Sequence, residues 1–294
     1  MNSIRKIVAA TDFSFNAHRA ARRAGVLAKE QAAALQLLHI LNRPTGKALK
    51  MMLGASADIE YELLGEAQRA LDSLAQDVVA AGGTVDASKV REGVVIDEIL
   101  AAAAGADLLV LGPRGLNPVQ DFVLGTTAER IARMIVRPLL LVKQDPAIRY
   151  EHVLVPVDFS EHSLPALQFA RILAPQAVIH VFHAFDCPFE GRLRSAGVPE
   201  DAINEYSAAT AREAHVSMTA LLERAQDQGA VPLIERGDAR SLITARAADH
   251  GCTLIVMGKQ GRSWLSEFIL GSVTRLMLER SACDVLVVPQ PRPL

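Results

Sequence analysis

Apolar positions along the chain fall into two alternating kinds of run. Short, almost uninterrupted runs such as Leu108-Leu109-Val110-Leu111 and Leu254-Ile255-Val256-Met257 have the bulk of strands buried on both faces of a parallel sheet. Between such runs, Ala20, Ala24, Leu27 and Ala28, and again Ala166, Ala170, Leu173 and Ala174, recur at spacings of four, three and one, the apolar stripe of a helix. The pattern predicts strands near 4–10, 34–41, 84–91, 107–112 and 138–143, with helices near 16–30, 57–82, 95–104 and 126–136. It then starts again: strands near 151–157, 177–184, 230–236, 253–258 and 284–289, helices near 161–174, 200–228, 239–250 and 272–281. This is an α/β chain of two repeated doubly wound domains, each a five-stranded parallel sheet with helices on both faces.

The repetition extends to individual residues. Ile7-Val8-Ala9-Ala10-Thr11-Asp12-Phe13-Ser14 returns 146 residues later as Val153-Leu154-Val155-Pro156-Val157-Asp158-Phe159-Ser160. In the middle the offset falls to 144, at His39/His183 and Gly93/Gly237, and it recovers at Gly105/Gly251, as length changes in loops or helix ends produce. The expected domains are 1–146 and 147–294, joined by the short, polar connector Lys143-Gln144-Asp145-Pro146. The Gly-, Pro- and Arg-rich stretches 42–56 and 186–199 match poorly between copies and read as surface connectors.

The strongest chemical signal follows the fourth strand of each copy. Gly112-Pro113-Arg114-Gly115 and Gly258-Lys259-Gln260-Gly261 are each followed, after nine residues, by Gly125-Thr126 and Gly271-Ser272, where a helical pattern begins. Glycines at a strand exit allow the backbone to bend or something to come close. A hydroxyl residue at a helix start, beside amide groups that have no intrahelical acceptor, suits phosphate. The spacing is neither a Walker motif nor Gly-x-Gly-x-x-Gly.

Asp12 and Asp158 close the first strands, where a doubly wound sheet places its ligand crevice. Each carboxylate can accept from a sugar hydroxyl or a base amino group, or can cap the following helix. Ser14 and Ser160 are placed to do the capping instead, which favours the ligand reading. His39 and His183 end the second strands and read as structural imidazoles; His180, three residues before His183, points to the opposite face, so no paired metal site with Cys187 is indicated. Arg114 and Arg262, near the second glycines, could meet phosphate but read first as solvated loop arginines, and Trp264 reads as a loop anchor or interface contact ahead of a base-stacking role.

Composition narrows the partners. At 294 residues, half of them apolar, the chain fills two cores, and a formal charge of −2 offers no basic field for nucleic acid or anionic lipid. No apolar run reaches the roughly 20 residues of a spanning helix, and three cysteines without close spacing point to a reducing cytoplasm. The Ser-Gly-Gly-x-Asp-Ser loop of ATP pyrophosphatases and the Gly-x-Ser-x-Gly elbow are both absent, and no acid, base and nucleophile are brought together.

Asp-Phe-Ser after the first strand, a histidine ending the second (Leu38-His39-Ile40, Phe182-His183-Ala184) and Gly-x-x-Gly, nine residues, Gly-Ser/Thr together give a chain whose halves each resemble the universal stress proteins, from Ile4 to Pro289. The whole resembles the tandem form. The resemblance implies ATP or a related adenine nucleotide, with magnesium compatible with its phosphates. It implies an adenine pocket from Asp12 and Ile40, or Asp158 and Ala184, with Leu111-Gly112 or Met257-Gly258 beneath the ribose. Gly115, Gly125, Thr126 and Thr127, or Gly261, Gly271, Ser272 and Val273, would hold the phosphates. Ala184, small where a larger aliphatic residue would wall the base, is expected to leave the second pocket the less well defined. The family also implies pairing through the final strands, Leu139-Leu140-Leu141-Val142 and Val285-Leu286-Val287-Val288, which one chain can satisfy internally; whether two chains associate further stays open. Nucleotide binding as a ligand or signal ranks first, a protein-interaction module with empty pockets second, and a slow ATPase or self-phosphorylating enzyme third.

Overall fold

The structure is a computed structural model that describes residues 3–42, 57–115, 124–187, 190–261 and 270–290. In the first repeat these form β1 (Lys6–Thr11), α1 (Phe15–Gln31), β2 (Ala34–Asn42), α2 (Ala57–Ala80), β3 (Ala87–Gly93), α3 (Val95–Ala104), β4 (Leu108–Leu111), α4 (Thr126–Met134) and β5 (Leu139–Leu141). The second gives β6 (His152–Pro156), α5 (Ser163–Leu173), β7 (Val178–Phe185), α6 (Glu190–Ser195), α7 (Glu200–Ala225), β8 (Val231–Arg236), α8 (Ala239–Asp249), β9 (Leu254–Gly258), α9 (Ser272–Arg280) and β10 (Asp284–Val288). Apart from the short α6, which lies in the stretch expected to be irregular, every element falls where the apolar pattern predicts it.

Strands run in the order β3-β2-β1-β4-β5-β10-β9-β6-β7-β8. Each repeat contributes a parallel five-stranded sheet, and the two are fused by one antiparallel seam, with Leu139, Leu140 and Leu141 opposite Val287, Leu286 and Val285. The final strands therefore satisfy each other within the chain, removing two apolar edges that would otherwise invite intermolecular pairing. Alternation along each strand feeds two cores. Ile7, Ala9, Leu35, Leu37 and Val110 face α1 and α2, whereas Val8, Leu38, Leu109 and Leu111 face α3 and α4. Both cores include residues of both repeats, so the seam lies inside continuous apolar packing.

Polar contacts across the seam are concentrated at the connector. Asp284, wholly buried at the start of β10, accepts from the Lys143 and Gln144 N–H groups at 2.7 and 2.8 Å and from the Tyr150 hydroxyl. Arg23, on α1 and only 2 % exposed, lies 3.4 Å from the same carboxylate and over the Tyr150 ring. Its guanidinium also donates to the Ile148 and Asp145 carbonyls. One charge from each repeat thus holds the connector between them.

Two lysines cross the seam in opposite directions. Lys143 Nζ donates to the Met277 and Ser281 carbonyls at the carboxyl end of α9, and Lys259 Nζ donates to the Ile135 carbonyl at the carboxyl end of α4. An ammonium there satisfies terminal carbonyls and complements the helix dipole. Burial lowers the Lys143 ammonium to about 8, outweighing the upward pull of Cys283 and Asp284. The unfolded chain, with lysines near 10.4, therefore holds more protons than the folded one between about pH 8 and 10.4. Lys143 consequently adds stability as pH rises through that window, by up to about 1 kcal/mol per pH unit. Burial pushes the Cys252 thiol up to about 12, an effect of opposite sign. The measurable quantity is accordingly the difference between the native chain and Lys143→Gln. In urea melts at pH 7.5 and 9.5, native stability is expected to rise relative to the variant as pH increases.

Candidate functional site

Within each repeat the strand order reverses direction about β1 and β4, or β6 and β9, the switch point at which doubly wound sheets open a crevice beyond the strands' carboxyl ends. A cavity of about 620 Å³ occupies this place in the first repeat. All the residues singled out there line it: Asp12, Ile40, Leu111, Gly112, Gly115, Gly125, Thr126 and Thr127. Arg114 and His39 join them, with Val95 and Ile99 of α3 as an apolar wall that the motifs did not point to.

None of the six motif glycines takes a positive φ, and for Gly112, Gly115, Gly258 and Gly261 the explanation is steric, because a Cβ would come within 3.0 Å of a neighbour. A Cβ on Gly112 would stand 2.9 Å from the Asn16 carbonyl group, so the start of α1 packs directly on this backbone. A Cβ on Gly115 would land on Asp12 Oδ2. The second glycine is therefore what lets the aspartate carboxylate lie against the loop. Its Oδ1 meanwhile accepts from the Ser14 N–H at 3.0 Å, while Ser14 Oγ caps α1 by accepting from the Ala17 N–H at 3.2 Å. The serine caps, as the sequence suggests, but the aspartate also braces the turn.

Gly125 is the N-cap of α4 and contributes no side-chain cap, and the exposed Thr126 and Thr127 occupy the first two helical positions. The amide groups of the first turn thus point out of the helix without intrahelical acceptors. Gly271 is the corresponding cap of α9, again without a side-chain bond.

The second cavity, about 340 Å³, is lined by Asp158, Ala184, Met257, Gly258, Gly261, Gly271, Ser272 and Val273. It is smaller than the first. Phe182 and His162 line it, at positions that hold Leu38 and Asn16 in the first repeat. The helix start differs as well. Ser160 does not cap: α5 begins at Ser163 with His162 as its N-cap, and the buried Ser160 Oγ has no hydrogen-bond partner among the described residues. Asp158 Oδ1 accepts from the Ser160 N–H at 3.0 Å and from Ser163 Oγ at 3.2 Å. A Cβ on Gly261 would stand 2.7 Å from Asp158 Oδ2, repeating the aspartate–glycine contact of the first repeat.

A family-level match covers nearly the whole chain. The model of the universal stress protein family matches twice in succession, over residues 3–143 and 149–289. The chain belongs to the universal stress protein family. Its sequence is 30 % identical over 146 residues to universal stress protein YxiE of Bacillus subtilis, covering 47 % of this chain and 99 % of that protein. It is 30 % identical over 156 residues to universal stress protein MJ0577 of Methanocaldococcus jannaschii, covering 48 % of this chain and 96 % of that one. A solved universal stress protein from Archaeoglobus fulgidus shares the fold over 97 % of this chain and 98 % of its own, with a TM-score of 0.68 and 22 % identity.

Around the strand, aspartate and glycine loop of this family member, the structure adds features that the motif did not reveal. Phe13 and Phe159, each directly after the aspartate, take left-handed backbone angles (φ 63° and 60°), which non-glycine residues seldom adopt. Their rings lie against His39 and His183, with centroids 4.3 and 4.2 Å apart. The Nδ1–H groups of these histidines donate to the Thr11 and Val157 carbonyls, both at 2.8 Å. These contacts fit the structural reading of both imidazoles. The signal in the sequence was the pairing of Asp-Phe-Ser with the strand-end histidine in both halves. His180 turns away, stacking with His152 and His250 near the opposite ends of the strands. Arg262 and Trp264 lie outside the described residues.

Proposed function

We propose that the chain binds ATP or a related adenine nucleotide in two pockets, one per repeat, as a ligand or signal rather than as a rapidly turned-over substrate. The observation that carries this reading is the coincidence, in each repeat, of a cavity of ligand size, a loop whose two glycines leave backbone bare at the cavity, and a helix amide end lacking a side-chain cap. Asp12 and Ile40, or Asp158 and Ala184, take the adenine, and Leu111-Gly112, or Met257-Gly258, underlie the ribose. Gly115, Gly125, Thr126 and Thr127, or Gly261, Gly271, Ser272 and Val273, hold the phosphates. Magnesium would arrive with the phosphates, which supply much of its usual coordination. The repeats act as two domains, 1–146 and 147–294, and the three free, buried cysteines fit a reducing cytoplasm. No helix among the described residues is long and apolar enough to cross a membrane.

The test begins with the purified full-length protein. Its denatured extract is analysed for released adenylate, and nucleotide-stripped protein is then titrated with ATP. Two binding events per chain are expected. An extract without nucleotide, together with no heat or dialysis signal at millimolar ATP, would overturn the reading.

A further inference from the structure

The two pockets differ most sharply in one polar side chain. His162 lines the second cavity, is 8 % exposed, and its buried Nδ1 has no hydrogen-bond partner among the described residues. Its Cβ packs on the first glycine of the loop, 2.6 Å from where a Cβ on Gly258 would be. The first repeat has Asn16 in this position, which cannot titrate. His39 and His183 line the two cavities at matching places, so they do not distinguish the pockets.

Burial is the largest influence on the His162 imidazole and lowers its affinity for a proton. Lys259, from the glycine loop, acts in the same direction, while Glu161 on the same turn and Asp158 at the end of β6 act against it. The remaining polar wall groups, Ser163, Gln260, Ser272 and Thr274, carry no charge. Burial thus disfavours the charged form of a ring that a polyanion seated on the Gly258–Gly261 loop would adjoin. Opposite charge close to a buried imidazole favours its charged form, and the ligand's oxygens would supply the partner that the ring lacks.

We propose that His162 makes the second pocket a proton-linked nucleotide site, taking a proton from solvent as the phosphate-bearing ligand enters and returning it on release, while the first pocket binds without this exchange. The inference rests on the nucleotide reading. By linkage, a ligand that raises the ring's pKa by one unit binds about tenfold more tightly below both pKa values than above them. Affinity at the second site therefore increases as pH falls from 8 to 6.

The test follows the imidazole signals of the full-length, nucleotide-stripped protein by NMR, with His162 identified as the signal missing in His162→Asn. Calorimetry with ATP in buffers of different ionisation enthalpy measures proton uptake. Saturating ATP is expected to move the His162 titration upward by about one unit. The native chain should take up protons on filling its second site, and His162→Asn should lose that uptake and the pH dependence. If ATP binds at both sites while the His162 titration in the native protein stays where it was, the proton link is wrong and nucleotide binding stands. If ATP does not bind at all, both fall together.

Discussion

Replacing Asp284 with alanine is expected to destabilise the protein by about 3–5 kcal/mol, the usual cost of removing one partner from a buried charge pair. The change strands several groups at once. Arg23, 2 % exposed, would keep its charge without the carboxylate 3.4 Å away. The N–H groups of Lys143 and Gln144 would lose the acceptor they share, and the Tyr150 hydroxyl would lose its own. The Tyr150 phenol, pushed well up by burial and then by Asp284, remains a neutral donor at any ordinary pH and cannot compensate. Because domains are stable by only about 5–15 kcal/mol, such a loss should appear as a large fall in the first urea midpoint. A control separates charge from shape. In Arg23→Met/Asp284→Leu the ionic pair is gone from both sides, and apolar replacement of a whole pair is often close to neutral. The double variant should thus be more stable than Asp284→Ala, despite carrying more changes. An Asp284→Ala midpoint corresponding to less than about 1 kcal/mol, the scale of an exposed pair, would show that the cluster does not hold the connector.

This cluster also marks where legibility in the sequence ends. Strands such as Leu108–Leu111 and Leu254–Gly258 were readable because they are buried on both faces, and the duplication doubled every signal. The glycine loops were readable for the same reason, although the physical cause lay in neighbours far along the chain. Asn16 and Asp12 stand against Gly112 and Gly115 only after folding. No motif singles out Arg23, a helix arginine, or Asp284, a strand-end aspartate. Their positions in the other repeat hold Phe169 and Pro138, neither of which could make the same pair. The departure from symmetry was therefore the available clue. Lys143 and Lys259 illustrate the same limit, since the positions matching them in the other repeat hold Pro289 and Pro113. They perform equivalent work on α9 and α4 from non-equivalent places. A seam between two copies of one fold needs a single polar arrangement rather than two, so the residues that build it need not repeat.

Thr126→Glu/Ser272→Glu is expected to weaken ATP binding at both sites by at least about 100-fold while leaving the fold intact. Both residues are exposed at the first position of their helices, where a carboxylate is favoured by the helix dipole. The thermal midpoint should therefore stay level or rise slightly. The same carboxylate would stand where the proposed phosphate seat needs an anion, and like charges brought together there cost several kcal/mol, with each 1.4 kcal/mol worth tenfold in affinity. Stability and binding would thus move in different directions, which a glycine substitution could not achieve. Valine at Gly112 would meet the backbone of Asn16, and valine at Gly258 would meet the side chain of His162, so lost binding there would be inseparable from damaged packing. The paired glutamates also distinguish the phosphate seat from the base pocket. Adenosine, which has no phosphate to repel, should bind the variant as it binds the native chain. ATP affinity unchanged in the double variant, measured by calorimetry at one pH and salt concentration, would remove the helix amide ends from the site and leave the cavities without a place for the polyphosphate.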